Sequence, residues 1–364
     1  MQKKTLAQIV RDEIVARSGA MPFARFMELA LYCPKLGYYE TKRDTVGRRG
    51  DFYTSVSVGN LFGELLAFQF AEWLDELKNT GGPLRIVEAG THDGQLARDI
   101  LTWLEAHRPA VFERLEYSVL EPSAHRREWQ RDTLECFAGK IRWLDNFDAL
   151  TPSCVKGVIF SNELLDALPV RRLGWDANEK KWFEWAVTVA GEKFGWTKLE
   201  LTAEDRPLTG LSQSLLDVLP DNFTIETNPA ATAWWHMAAR SLSDGKLMTA
   251  DYGLDQEDFY TPSRQNGTLR AFYRHHFADD LLANVGEQDL TAHVNFSEIR
   301  SAGEEAGLTT EFYSTQGNFL ARILEKTLKE KNFGEWTSAR GRQFQTLTHP
   351  EHLGRAFRVL VQSR

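Results

Sequence analysis

Apolar residues in the middle of this chain gather in short runs, near positions 84–88, 116–121, 141–144 and 155–161. Each run is strand-length and bounded by turn residues, and amphipathic stretches of helical spacing lie between them. Strand–helix alternation of this kind predicts an α/β fold: a doubly wound, mostly parallel Rossmann-like sheet with helices on both faces. After Val170 the pattern changes. Residues 171–175, 182–190 and 194–199 are short, aromatic-rich segments separated by Asp176-Ala177-Asn178 and Gly191-Glu192. They read as antiparallel hairpins inserted behind the fourth strand. The α/β pattern resumes with a helix over 230–242 and a strand over 246–252, then a helix over 296–306 and a strand over 308–313. More helix follows, and a last strand falls near 357–361.

The first eighty residues look mostly helical. Leu6, Ile9, Ile14 and Val15 fall on or near one face, Pro22 is placed to open a helix over 22–32, and a long helix is expected over 58–77. Between the last two lies a loop of glycines, aromatics, arginines and small hydroxyl residues without periodicity. Loops of that kind more often line sites than cores. The expected division is therefore an N-terminal helical part over 1–83 and a sheet domain over 84–364, with the β insertion at about 170–201.

Composition narrows the function classes. Hydrophobic residues make up 42% and charged residues 26%, which is ordinary for a soluble globular chain. A net charge of −8 argues against binding a phosphate backbone, so no nucleic-acid partner is expected. Cys33, Cys136 and Cys154 form no CxxC pair, and the nine histidines show no metal spacing with them. No apolar run is long enough to span a membrane, and the N-terminus carries Asp12 and Glu13 rather than an apolar signal core. These features lead to the expectation of a cytoplasmic protein. Eleven tryptophans suggest exposed aromatic surface, with the insertion the expected place.

The chemistry concentrates after the first strand. That run ends in Glu88, a turn carries Gly90 and Gly94, and a helix begins at once. Glycines there allow close backbone approach to a ligand, and the free N–H groups of a helix start attract polar groups. The next strand ends in Glu121, at the distance from which an acid can accept bonds from ribose hydroxyls. Together they point to a nucleoside cofactor. A dinucleotide fold would want GxGxxG, and Asp93 would put negative charge where phosphates lie. S-adenosylmethionine has an amino group and a sulfonium but no phosphate, so the acidic turn suits it better; a dehydrogenase is disfavoured.

The fourth strand delivers Asn162, Glu163 and Asp166 in SNELLDALP, beside the crevice where doubly wound folds bind ligands. Two carboxylates and an amide could hold a cationic acceptor, and a guanidinium pairs with carboxylates in a bidentate fork. The alternative is that Asn162 and Asp166 merely cap a helix. Glu226 and Asp251 also end apolar runs and would add to a negative rim over the cofactor. His293 reads as a structural histidine rather than a base.

Several longer segments carry a resemblance. PFARFMELALYCPKLGYY, GRRGDFYTSVSVGNLFGELLA, SNELLDALPVRRL, the DYG at 251–253, GTLRAFYRHH, DLTAHVNF and TQGNFL resemble MidA-type class I S-adenosylmethionine-dependent methyltransferases over nearly the whole chain. That family includes the mitochondrial arginine methyltransferase required for assembling respiratory complex I. The resemblance implies cofactor contacts at Glu88, Gly90, Gly94 and Glu121, with Asp145 on the adenine side. It implies that the loop carrying Gly50, Asp51, Tyr53, Thr54 and Ser55 closes over the cofactor, and that Asn162, Glu163 and Asp166 face the substrate. The implied partner is a protein with an accessible arginine, with a respiratory-complex subunit as one candidate. Two other readings stay open: a small-molecule methyltransferase, and a non-catalytic assembly protein on the same fold. The chain departs from the family's ExGxGxG turn by placing His92 at the middle glycine.

Overall fold

The computed structural model describes residues 4–41, 54–77, 82–201, 211, 213–274, 276–330 and 332–364. The chain divides into two compact units, neither continuous in sequence. One comprises Met1–Lys42, Asp166–Ala231 and Leu254–Ser297; the other comprises Arg43–Leu165, Thr232–Gly253 and Glu298–Arg364.

The second unit holds the central sheet. Its strands are β1 (Leu84–Ala89), β2 (Leu115–Leu120), β3 (Ile141–Leu144), β4 (Val155–Asn162), β5 (Leu242–Leu254), β6 (Thr309–Thr315) and β7 (Phe357–Ser363). They lie in the order β6-β7-β5-β4-β1-β2-β3. The pairs among β1 to β5 are parallel, and β7 runs antiparallel to both β5 and β6. The order reverses between β1 and β4, so the crevice at their carboxyl ends is the switch point where such sheets bind ligands. All four runs read as strands from the sequence are strands. They are legible because β1, β2 and β4 are buried on both faces, which leaves little room for alternating polar residues. The core also includes the helix Leu61–Glu76, whose residues from Leu61 to Ala71 are all buried.

The first unit contains the helices Leu6–Ala16 and Phe23–Tyr32 and an antiparallel sheet. In that sheet the strand Lys181–Ala190 pairs with Lys193–Glu200, with Arg171–Asp176 and with the short strand Met21–Pro22. The insertion is thus built as hairpins. Its aromatic residues are not exposed, contrary to expectation. They pack on one another and on the N-terminal helices: Trp175 on Trp182 at 5.3 Å, Phe23 on Trp196 at 5.3 Å and Phe26 on Phe194 at 5.9 Å between ring centroids. Large rings bury more apolar area than any other side chain, so a small sheet sealed by two helices is where they stabilise most. Among the described residues no helix is long and apolar enough to cross a membrane.

Candidate cofactor and acceptor site

Three alternate residues after β1 have left-handed backbone: Gly90 at φ +77°, His92 at +49° and Gly94 at +96°. The spacing of glycines in this turn is therefore a requirement of backbone geometry, and His92 meets it at a steric cost of about 1–2 kcal/mol. A side chain at Gly90 would meet Leu164 at 3.0 Å, so the glycine turn and the loop after β4 are in contact. The His92 ring turns toward Asp93, with Nδ1 at 3.6 Å from the carboxylate. Two opposite outcomes follow. Gly90→Ala is expected to lower unfolding free energy by about 1–2 kcal/mol and weaken cofactor binding, whereas His92→Gly is expected to leave stability equal or higher. Denaturant midpoints of the two variants check the pair; a His92→Gly protein less stable than the parent would show that the ring contributes contacts exceeding its strain.

Glu88 is 2% exposed and accepts a bond from the Tyr117 hydroxyl at 2.5 Å. Burial pushes its carboxyl up to about 8, the tyrosine bond opposes this, and the Asp93 charge adds to it. Glu121 is equally buried. Its carboxylate accepts from Ser123 N at 2.8 Å and Gln130 Nε2 at 3.2 Å, and pairs with Arg126 at 2.9 Å. Gln130 Nε2 also donates to the His92 carbonyl at 3.0 Å, tying the acid to the glycine turn. Nothing in the sequence singled out Gln130, a polar residue within a polar helix. Asp145 follows β3 directly, is largely exposed and pairs with Arg127.

Across the switch point, β4 ends in Asn162 and the chain kinks at Glu163, whose φ is +52°. The kink is held from β5. Asp251, fully buried, accepts from the backbone N–H groups of Leu164 at 3.1 Å and Leu165 at 2.8 Å, and Glu163 N donates to the Ala250 carbonyl at 2.9 Å. Asp251 is thus a clamp for the loop, which corrects its reading as a rim acid. The Glu163 carboxylate accepts from Asn162 Nδ2 at 3.1 Å and from Ser55 N at 3.3 Å. Burial pushes Glu163 up to about 8; the Asn162 bond lowers it, the Asp251 charge raises it and the Ser55 bond lowers it.

Thr54 and Ser55 are buried, and the structure brings Ser55 to Glu163. Gly50, Asp51 and Tyr53 of the same loop lie outside the described residues. Asp166 opens the part of the chain assigned to the first unit; it is buried, and its carbonyl accepts from Ala292 N at 3.0 Å. Glu226 is also in the first unit. Its strand, Thr224–Thr227, pairs with Arg171–Asp176 in the antiparallel sheet, so it is not a strand-end acid of the parallel sheet as expected. Its carboxylate accepts from Thr268 N at 2.6 Å and lies 3.6 Å from Arg172 Nε. His293 is pushed down to about 4 by burial and the nearby arginines, as befits a neutral structural histidine.

The site can be tested for fit to the implied cofactor. Thr91 Oγ1 and Asn162 Oδ1 are buried and have no hydrogen-bond partner among the described residues. They sit at the ends of β1 and β4, neighbours in the sheet on either side of the switch point. Buried polar atoms left unpaired cost about 1–3 kcal/mol each unless a ligand or water answers them. Two such atoms around a left-handed glycine turn, with a buried acid ending β2, suit a ligand that has amino, carboxylate and ribose groups.

Reversed strand order, a glycine turn at the carboxyl edge and a buried acid on the next strand define an α/β enzyme that binds a nucleoside cofactor. Residues 65–314 match a family described as "Putative S-adenosyl-L-methionine-dependent methyltransferase". A crystal structure of a protein from Burkholderia thailandensis bound to S-adenosyl-homocysteine superposes with a TM-score of 0.84 at 32% identity, over 99% of this chain and 92% of that one. Among curated proteins, the protein arginine methyltransferase NDUFAF7 homolog of Drosophila melanogaster is 28% identical, over 98% of this chain and 84% of its own. The NDUFAF7 protein of Danio rerio is 28% identical, over 83% of this chain and 73% of its own. The chain belongs to this family and is an S-adenosylmethionine-dependent methyltransferase.

One expectation falls here. Both curated relatives are named as mitochondrial, which overturns the cytoplasmic assignment. Unpaired cysteines distinguish reducing from oxidising surroundings, and a reducing interior is not unique to the cytoplasm.

Proposed function

We propose that the protein transfers a methyl group to a guanidinium nitrogen of an arginine in another protein, with Asn162 and Glu163 holding the acceptor and Asp166 supplying a further carboxylate. The observation that carries this reading is the placement of Glu163. Its carboxyl is half-buried, oriented by Asn162 and Ser55, and borne by a loop whose Leu164 lies against the glycine turn at Gly90. An acid so fixed can accept a charge-assisted bond from a guanidinium and aim one of its nitrogens. The names of the curated relatives also support an arginine acceptor.

In this reading Glu88, Thr91, Gly90, Gly94, Glu121 and Asp145 hold the cofactor, with Ser55 beside them at Glu163. The bound cofactor supplies an electrophilic methyl on a sulfonium. Asn162 and Glu163 keep the attacking nitrogen in line with it. With that methyl donor bound, Asn162 and Glu163 would orient one guanidinium nitrogen toward it, and the Glu163 carboxylate would hold the charge of the acceptor as the nitrogen gives up its proton. Alignment rather than basicity is what the protein must provide, because the nitrogen becomes acidic only as it is alkylated.

A respiratory-complex subunit is the partner class to try first. Radiolabelled S-adenosylmethionine offered with arginine-bearing peptides and with their lysine counterparts, followed by mass mapping, is the test. Label is expected on arginine alone. Label on lysine, or only on small molecules, would discard the acceptor assignment while leaving the cofactor intact.

A further inference from the structure

The segment TQGNFL is placed by the fold at the start of the helix Gln316–Thr327, and its glutamine points inward, fully buried. Gln316 Oε1 accepts from the Ser55 hydroxyl at 3.1 Å, and Gln316 Nε2 donates to the Leu347 carbonyl at 3.1 Å. Ser55 is itself fully buried, and its backbone N–H is the one that reaches the Glu163 carboxylate at 3.3 Å. A continuous chain of hydrogen bonds thus runs from the end of the helix Ser338–Thr348 through Gln316 and Ser55 to the acid of the acceptor loop. The Leu347 carbonyl is one of the last-turn carbonyls of its helix that has no partner within the helix, so the glutamine satisfies a group that needs one. The same helix grips the segment after Ser55 at two more points. Gln343 Oε1 accepts from Leu61 N at 3.3 Å, and Arg340 pairs with Glu64 at 2.5 Å.

We propose that Gln316 is a positioning residue for methyl transfer: it fixes Ser55 so that the Ser55 N–H stays on Glu163, and it thereby couples the C-terminal helix to the acceptor site. Gln316 touches neither acceptor nor cofactor in this role. An apolar residue of the same volume would fill the space but leave Ser55 without a hydroxyl partner and the Leu347 carbonyl unsatisfied. The inference rests on the reading of Glu163 as the acceptor-side acid only for its effect on rate; its effect on the Glu163 carboxyl is independent of that reading.

The test follows the Glu163 carboxyl directly by carbon-13 NMR titration, assigned with Glu163→Gln, in the parent, Gln316→Leu and Ser55→Ala proteins. The other charge bearing on this carboxyl is Asp251, which all three proteins keep. Loss of a stabilising N–H bond must raise the midpoint, by roughly half a pH unit or more. Acceptor kcat/KM is expected to fall about tenfold in Gln316→Leu, with cofactor Kd within about threefold of the parent. Ser55→Ala cuts the same link from the other side and serves if Gln316→Leu does not fold. An unmoved midpoint in either variant overturns the proposal, as does a variant whose only change is a lower Tm. A raised midpoint with undiminished rate would keep the positioning role of Gln316 toward Glu163 and reject Glu163 as the acceptor acid.

Discussion

Glu163→Gln is expected to lower kcat/KM for methyl transfer by about a hundredfold or more while cofactor binding stays within a few-fold of the parent. The amide keeps the shape of the side chain and can still accept from Ser55 N. What it lacks is the negative charge that a guanidinium seeks and that makes the bond short and directional. The free carboxyl is pushed up to about 8, chiefly by desolvation, so a guanidinium held as proposed must draw it into the charged form. The parent enzyme should therefore lose kcat/KM as pH falls below about 8, where a growing share of Glu163 is protonated before the acceptor binds. At saturating acceptor the same limb should move to lower pH, because the bound cation favours the carboxylate. Initial rates between pH 6 and 9 at low and high acceptor concentration separate the two. A Glu163→Gln enzyme of undiminished rate would remove this residue from the acceptor site, and attention would pass to Asp166.

How far the sequence reveals this site depends on whether a property is local. Strands β1, β2 and β4 were legible because burial on both faces leaves continuous apolar runs, and the turn after β1 because only glycines and one histidine accept its backbone angles. The acids were only half legible. Glu88, Glu121, Asp145 and Asp251 all end parallel strands or follow them closely, and nothing in the local sequence says where a carboxylate turns. Asp251 turns to backbone N–H groups and Asp145 to an arginine, whereas Glu88 is enclosed with a tyrosine. Glu226 was misplaced because strand pairing is a long-range property: its apolar run is like the others, and only its partner strand reveals the other sheet. Gln130 and Thr91 carry no signal of their own, and Gln316 stands out only as part of TQGNFL without a role attached, since a neutral polar residue in a helix or loop is the commonest thing a sequence contains. Their importance comes from atoms contributed by chain segments far away.

Glu88→Gln should raise the stability of the cofactor-free protein at alkaline pH and weaken cofactor binding, two effects of one buried carboxyl. The folded form holds Glu88 near 8, and the unfolded chain releases its proton near the ordinary value of 4.5. Below that value both states are protonated and the group adds nothing to pH dependence. Between 4.5 and 8 the folded state binds the extra proton, so stability falls as pH rises through the window and levels off above it. The ionised, buried group then costs the fold several kcal/mol, on the order of 1.4 for each pH unit of the shift. Glutamine never ionises and can still accept the Tyr117 hydroxyl bond. The Tm of the variant should match the parent near pH 5 and exceed it by several degrees at pH 8.5. Glu163, raised by the same cause, keeps part of the slope in the variant, so the loss of pH dependence will be partial. Calorimetric titration with S-adenosylmethionine should meanwhile show weaker binding if Glu88 holds the cofactor as proposed, since the acid would have been replaced by a neutral amide. A Tm difference that does not change with pH would mean that Glu88 is already ionised in the fold, held so by the tyrosine. The parent protein would in that case keep the acid charged at the expense of stability, which is the usual balance at a site that must bind a cation before it can act.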